Sequence, residues 1–259
     1  MTQRHLGHMI WTDVAEAAKR DVPVIIPVGT LEMQGLFSPM GHDYIVAEQL
    51  ASAVADRVEC LVAPTVNYGY SFFSKPVAGT ISLRPETLRA LLLDITTSLL
   101  QHGFRHLIFI NNHGLNEPIL GHVADEVREK HGVLLASAFP SKMAQDLSTD
   151  LFETQAGVFA HGGEPTISLM MYLTPDDMRL EGARRIDYPS PLPGFDISGL
   201  GAVKVGDSTI NVYMDMNKIA PTGGGGDATQ GSVEKGRIMF ERMVDVMVDF
   251  VTRFRAVEM

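Results

Sequence analysis

The sequence predicts an α/β protein, a three-layer α/β/α sandwich with a mostly parallel sheet. Three observations carry this. Short apolar β-type runs alternate with helical segments along the chain. Residues 22–28 (VPVIIPV) and 107–110 (LIFI) are apolar throughout, as strands buried on both faces are. The 259 residues, 45 % hydrophobic and 20 % charged, suffice for one such domain spanning residues 1–259.

The elements follow in order. Residues 22–28 read as a strand ending in a turn at Gly29 and Thr30. Residues 42–58 read as a helix, with Ile45, Leu50, Val54 and Val58 near helical spacing. Residues 60–63 are a short strand stopped by Pro64, and residues 67–79 an aromatic loop. Pro85 and Glu86 suit the first turn of a helix that runs to His102 and stops at Gly103. The strand 107–110 flows into Asn111, Asn112, His113 and Gly114. A helix over 116–131, a strand over 133–138 and a helix containing 168–173 come next. Residues 179–221 are rich in turn formers and weakly periodic, which predicts a long excursion over a site or an interface. Gly223 to Gly226 read as a flexible loop, and Asp227 as the cap of a last helix over 228–255.

Composition removes several function classes. The net charge is −10, and no basic run overrides it, so neither nucleic acid nor anionic membrane is an expected partner. No apolar stretch approaches the roughly 20 residues of a membrane span, and no signal peptide is recognisable; a cytoplasmic location is expected. Cys60 is the single cysteine, which excludes an internal disulfide and a Cys-rich zinc site. There is no Gly-x-Ser-x-Gly elbow, and the four glycines lack the Lys-Ser/Thr of a phosphate loop.

Three polar, glycine-rich segments remain: residues 29–43, 111–118 and 160–170. Glu32, Asp43 and His113 could form an O,O,N site for Mn²⁺, Zn²⁺ or Fe²⁺, with positions left for water and substrate. Such an ion acidifies water and polarises a carbonyl, as hydrolysis requires. By spacing alone the signal is weak, and the better reading is that the two carboxylates are capping or solvated loop residues and His113 a hydrogen-bonded turn residue. His161 could be a general base, a ligand or a cap, and Glu164 could act with it or support the next helix. Lys75 could bind a carbonyl or carboxylate, or be a surface lysine. Tyr68, Tyr70, Phe72 and Phe73 suit a pocket wall or a subunit contact.

Taken together, five ordered blocks resemble the creatininase (creatinine amidohydrolase) family. PVGTLEMQGLFSPMGHD (27–43) follows the pattern P-x-G-[AS]-x-E-Q-H-G-x-H-L-P-x-x-T-D without a gap. NNHGLN (111–116) resembles N-G-H-G-G-N, and HGGEPTIS (161–168) resembles H-[GA]-G-E-x-E-T-S. Residues 78–95 and 226–236 support the match. The resemblance implies a three-layer α/β fold, divalent metal, a homohexamer and hydrolysis of cyclic amides or related small molecules. It places Glu32, Asp43 and His113 on family metal ligands, Asp43's counterpart bridging two ions in two-metal members. It places His161 on a histidine at the substrate, and His161 with Glu164 is the candidate catalytic pair. Tyr70, Ser71, Lys75, Gly114 and Asn116 are the expected substrate contacts.

The departures carry equal information. Gln34 stands where the family pattern has a histidine, Phe37 replaces a second one, Leu115 a carboxylate and Thr166 a glutamate. Glutamine is a poor ligand for a transition metal. One ion per subunit is therefore expected, completed by Gln34, His42 or Glu164. A ring-opening C–C hydrolase of a keto-inositol and a non-catalytic ligand-binding descendant are the alternative readings.

Overall fold

The computed structural model describes residues 4–154, 158–190, 192–197 and 201–258. Its elements run α1 (Trp11–Lys19), β1 (Val24–Val28), α2 (His42–Arg57), β2 (Leu61–Val62), α3 (Pro85–Gln101), β3 (Leu107–Asn111), α4 (Glu117–His131), β4 (Leu135–Ala138) and α5 (Pro140–Asp146). Then come α6 (Thr166–Leu173), β5 (Arg185–Ile186), β6 (Asp196–Ile197), β7 (Ala202–Val205), β8 (Ser208–Asn211), α7 (Met216–Ile219), β9 (Gly226–Asp227) and α8 (Val233–Phe254).

The central sheet has the order β2-β1-β3-β4 and every pairing is parallel. Parallel neighbours need a crossover, and helices supply it on both faces. Alternation along β1 sorts the core: Val24, Ile26 and Val28 face one layer, Ile25 the other. The first layer is α1, α3 and α4, through Ala17, Leu88, Leu92, Val123 and Val127. The second is α2, α6 and α8, through Val46, Leu50, Val54, Leu169, Met243 and Met247. Both faces of β1, β2 and β3 are therefore dry, which is why those strand sequences carry no polar alternation, whereas the edge strand β4 is part-exposed. The expected three-layer architecture is the observed one.

Two expectations need correction. The final helix begins at Val233, not at residue 228, because Ser232 is its cap: the Ser232 hydroxyl accepts the Lys235 N–H at 3.5 Å. Asp227 caps only a single 3-10 turn, accepting the Thr229 N–H at 3.0 Å. The excursion over 179–221 is also more ordered than its composition suggests. It holds an antiparallel three-stranded sheet, β6-β7-β8, and β5 pairs with β9. β8 is solvent-exposed along its length, so it has no apolar face to read in the sequence.

The tightest crossing is between α6 and α8. A Cβ on Gly236 would lie 1.9 Å from the Ser168 carbonyl oxygen, so the two helices pack backbone against side-chain-free backbone. Gly236→Ala is expected to cost about 3 kcal/mol by overpacking, read as a lowered denaturant midpoint. An unchanged midpoint would mean that α8 is free to shift.

Among the described residues, no helix is long and apolar enough to cross a membrane.

Candidate metal centre

The C-terminal ends of parallel strands are where α/β proteins gather their sites. Here the loops after β1 and β3 and the turn before α6 converge on one cavity of about 410 Å³. Glu32, Gln34, His42, Asp43, Asn112, His113, His161 and Glu164 all line it.

Glu32, Asp43 and His113 are buried, and one ligand atom from each lies within 4.8 Å of the others. Each is positioned by its element. Asp43 is in the first turn of α2, where the helix dipole favours a carboxylate. His113 leaves the end of β3 in a turn knitted by Asn111, whose side-chain amide donates to the His113 carbonyl at 2.8 Å. Glu32 sits in the loop after β1, its N–H donating to the Met40 carbonyl at 3.2 Å. His113 Nδ1 is 3.0 Å from Asp43 Oδ2 and 3.5 Å from Glu32 Oε1. Its Nε2–H donates to the Tyr70 carbonyl at 2.9 Å.

That last bond fixes the ring and turns Nδ1 toward the two carboxylates, the arrangement of a metal-ligating histidine. Glu32 Oε2 is buried and has no hydrogen-bond partner. An orphaned carboxylate oxygen beside an imidazole and a second carboxylate suits a divalent cation. The residues present thus fit a metal ion.

The electrostatics agree. Burial opposes the charge on Asp43, but hydrogen bonds from His113 and His42 outweigh it and hold its carboxyl at about 2. Burial likewise opposes the charge on Glu32, and the charge of His113 with the hydrogen bond from His161 holds its carboxyl below the usual range. Burial disfavours the His113 imidazolium, yet the Glu32 charge and the Asp43 hydrogen bond lift it to about 9. A proton on His113 thus offsets part of the charge of the two carboxylates, and a divalent ion taken up at Nδ1 would displace it.

His161 reaches Glu32 from the opposite side, with Nε2 3.0 Å from Oε1, while its Nδ1–H donates to the Gly223 carbonyl at 3.1 Å. Burial opposes its charge, and the Glu32 hydrogen bond outweighs that and raises it above the ordinary histidine value. Glu164 follows at the turn into α6. Its Oε1 accepts the Ser168 hydroxyl at 2.8 Å, and its Oε2 is buried without a partner. Burial pushes this carboxyl up to about 7.

The glycine run is a correction. Gly223 to Gly226 are buried, not a flexible loop. A Cβ on Gly224 would lie 2.4 Å from the His161 carbonyl oxygen, and one on Gly162 would lie 2.8 Å from Gly35 N. Gly35 and Gly162 both have positive φ, at 74° and 76°. Three loops meet here backbone to backbone, and only glycine permits it.

Of the expected substrate contacts, Gly114 lines the cavity. The aromatic loop contributes Phe73 and Ser74 to the wall instead of Tyr70, Ser71 and Lys75. Tyr70 gives its carbonyl to His113, Ser71 is buried against Thr30, and Lys75 is exposed. Asn116 is a brace, with Oδ1 accepting the Tyr70 N–H at 3.0 Å and Nδ2 donating to the Gly29 carbonyl at 3.2 Å. Several cavity residues carried no sequence expectation as ligand contacts, Asn112 and Phe139 among them. Asn112 accepts the Ser141 N–H at 2.7 Å and leaves a buried Nδ2 unpaired, and Phe139 forms part of the wall. Phe37 is buried against Ile167 and Ala228, and Leu115 lines the cavity. Cys60 is buried and its thiol pushed up to about 12 by burial, so it is no nucleophile.

The sequence profile described as Creatininase, creatinine amidohydrolase, matches residues 7–251. The chain is 29 % identical over 244 residues to the mycofactocin precursor peptide peptidase of Mycobacterium tuberculosis H37Rv, covering 89 % of this chain and 85 % of the relative. It is 27 % identical over 263 residues to the creatinine amidohydrolase of Pseudomonas putida, covering 95 % of each. The 3-dehydro-scyllo-inosose hydrolase of Thermotoga maritima is 26 % identical over 268 residues, which cover 96 % of this chain and 84 % of that one. Among solved structures, a creatininase superposes with a TM-score of 0.81 at 25 % identity, covering 98 % of both chains. A manganese form of creatininase gives 0.78 at 25 % identity, covering 97 % of this chain and 98 % of that one.

Proposed function

Because the chain belongs to the creatininase family of metal-dependent hydrolases, we propose that it opens an amide-type bond of a small substrate at a single divalent ion, Mn²⁺ or Zn²⁺. The observation that carries this is the buried trio of Glu32, Asp43 and His113 on a cavity wall, with Glu32 Oε2 unpaired. These three residues would hold the ion. When bound, it acidifies a water and polarises the scissile carbonyl.

The chain's own residues manage the protons. His161 has its Nδ1–H fixed by the Gly223 carbonyl and its Nε2 turned to the centre of the site. It holds a proton for the departing nitrogen. Glu164 titrates near neutrality because it is buried, so its unpaired Oε2 can take a proton from the attacking water and return it. Phe73, Phe139 and Leu115 supply apolar walls that exclude water. One ion is favoured because Leu115 offers no ligand and Phe37 is packed away in the core.

A second reading is hydrolysis of a ring C–C bond beside a ketone. It is favoured by the likeness to the inosose hydrolase. The two readings part on products.

The test is a panel of cyclic amides, short peptides and keto-inositols offered to Mn²⁺- and Zn²⁺-loaded protein, with mass detection of a ring-opened product heavier by one water or of peptide fragments that together carry one added water. Activity is expected to vanish on chelation and return on reloading. Turnover that survives full chelation, or no product from any member, would overturn the proposal. A ring-opened inosose alone would select the second reading.

A further inference from the structure

We propose that His42 and Gln34 are positioning residues that cap one oxygen of Asp43, so that Asp43 offers a single oxygen to a single ion. This rests on the metal-hydrolase reading above.

The geometry is specific. Asp43 Oδ2 faces His113 Nδ1 at 3.0 Å, on the metal side. Asp43 Oδ1 receives two donors, the His42 ring at 2.9 Å through Nδ1 and the Gln34 amide at 3.2 Å through Nε2. A carboxylate oxygen has two lone-pair sites, so Oδ1 is saturated. The Gln34 amide must turn its NH₂ to the carboxylate, because its own oxygen would meet like charge there. All three side chains are buried, which shields these bonds from competing water.

Two consequences follow. A carboxylate that bridges two ions needs both oxygens free. Here the second one is already committed to N–H donors, which repel a cation. Gln34 therefore does more than fail as a ligand: it blocks a second ion at Asp43. His42 locks the Asp43 rotamer from the adjacent position in α2, as hydrogen-bonded partners of ligating carboxylates do. The Nδ1 hydrogen is thereby used up, and the ring's Nε2, buried and without a partner, stays on the cavity wall.

The experiment is Mn²⁺ titration of the full-length protein by calorimetry, with stoichiometry from elemental analysis. The variants are His42→Asn, His42→Leu and Gln34→Leu. Asparagine places an N–H close to where the histidine Nδ1–H lies, and leucine removes it. Wild type and His42→Asn are expected to take one ion with similar affinity. His42→Leu and Gln34→Leu are expected to bind at least about tenfold more weakly. The visible spectrum of the Co²⁺-loaded leucine variants is expected to change, because the freed oxygen can join the coordination sphere. Two ions in wild type, or leucine variants with unaltered affinity and Co²⁺ spectrum, would overturn the cap and leave the hydrolase reading standing. A wild-type protein that takes up no ion would overturn that reading itself. If His42→Leu does not fold, Gln34→Leu decides alone.

Discussion

His113→Ala is expected to yield protein without a tightly held divalent ion and with hydrolysis reduced by about three orders of magnitude or more. The imidazole is the one nitrogen donor of the trio; Leu115, two residues on, is apolar, and Gln34 is turned to Asp43. The variant should also be less stable before any ion is added. It leaves Glu32 and Asp43 buried without the positive group at 3.5 and 3.0 Å. Removing one partner of a buried pair costs about 3 kcal/mol, or about 10 °C in Tm for a chain of this size. The pH dependence has a definite sign. His113 is raised from 6.5 to about 9, so its contribution is complete below pH 6.5 and disappears as pH rises through 9. Melting curves of chelated wild type and variant should therefore converge in alkali. Equal melting temperatures at pH 6 would mean that the two carboxylates are neutralised some other way.

Glu164→Gln is expected to do the opposite: to stabilise the fold while removing activity. Burial raises the Glu164 carboxyl from 4.5 to about 7. An acid raised in the folded state is paid for in alkali, not in acid. Below pH 4.5 both states are protonated and there is no effect. Between 4.5 and 7 the unfolded chain ionises and the folded one does not, so wild-type stability declines, and above 7 the loss is complete. The shift corresponds to about 3 kcal/mol. Glutamine keeps an oxygen for the Ser168 hydroxyl and never ionises. Denaturant unfolding at pH 4 should barely separate the two proteins, and at pH 8 the variant should lead by about 3 kcal/mol. A lead that is the same at both pH values would mean that Glu164 is not a buried, disfavoured carboxylate.

These two residues also mark what the sequence could disclose. Glu32, Asp43 and His113 were legible as a set through the family resemblance and not through spacing alone, since Glu32 and His113 lie just beyond strands but Asp43 lies in the first turn of α2. Helix boundaries near Pro85 and Gly103 were legible from local chemistry, proline at the first turn and a positive-φ glycine just beyond the end. The antiparallel sheet of β6, β7 and β8 was not. Its strands are two to four residues long and β8 is exposed throughout, so no apolar period betrays it. The glycine run misled because close backbone approach depends on partners remote in sequence, Gly35 and Gly162. Gln34 was recognisable as a missing ligand, but its bond to Asp43 could be seen only in three dimensions. The aromatic loop was read as a pocket wall or a subunit contact; its 3-10 turn over 72–74 puts Phe73 and Ser74 in the cavity wall and leaves Lys75 in solvent.

The meeting of three loops at glycine bears on how the protein comes to be functional. Glu32 and His161 are 129 residues apart, Asp43 and His113 70, and His161 and Gly223 62. Closing such separations costs entropy that only a formed core repays. The strands and helices up to β4 can associate through nearer neighbours, whereas His161 reaches Glu32 only after the chain has been made through the glycine run that seats it. The site therefore depends on segments far apart in the chain, and a molecule truncated before the glycine run lacks the carbonyl that seats His161.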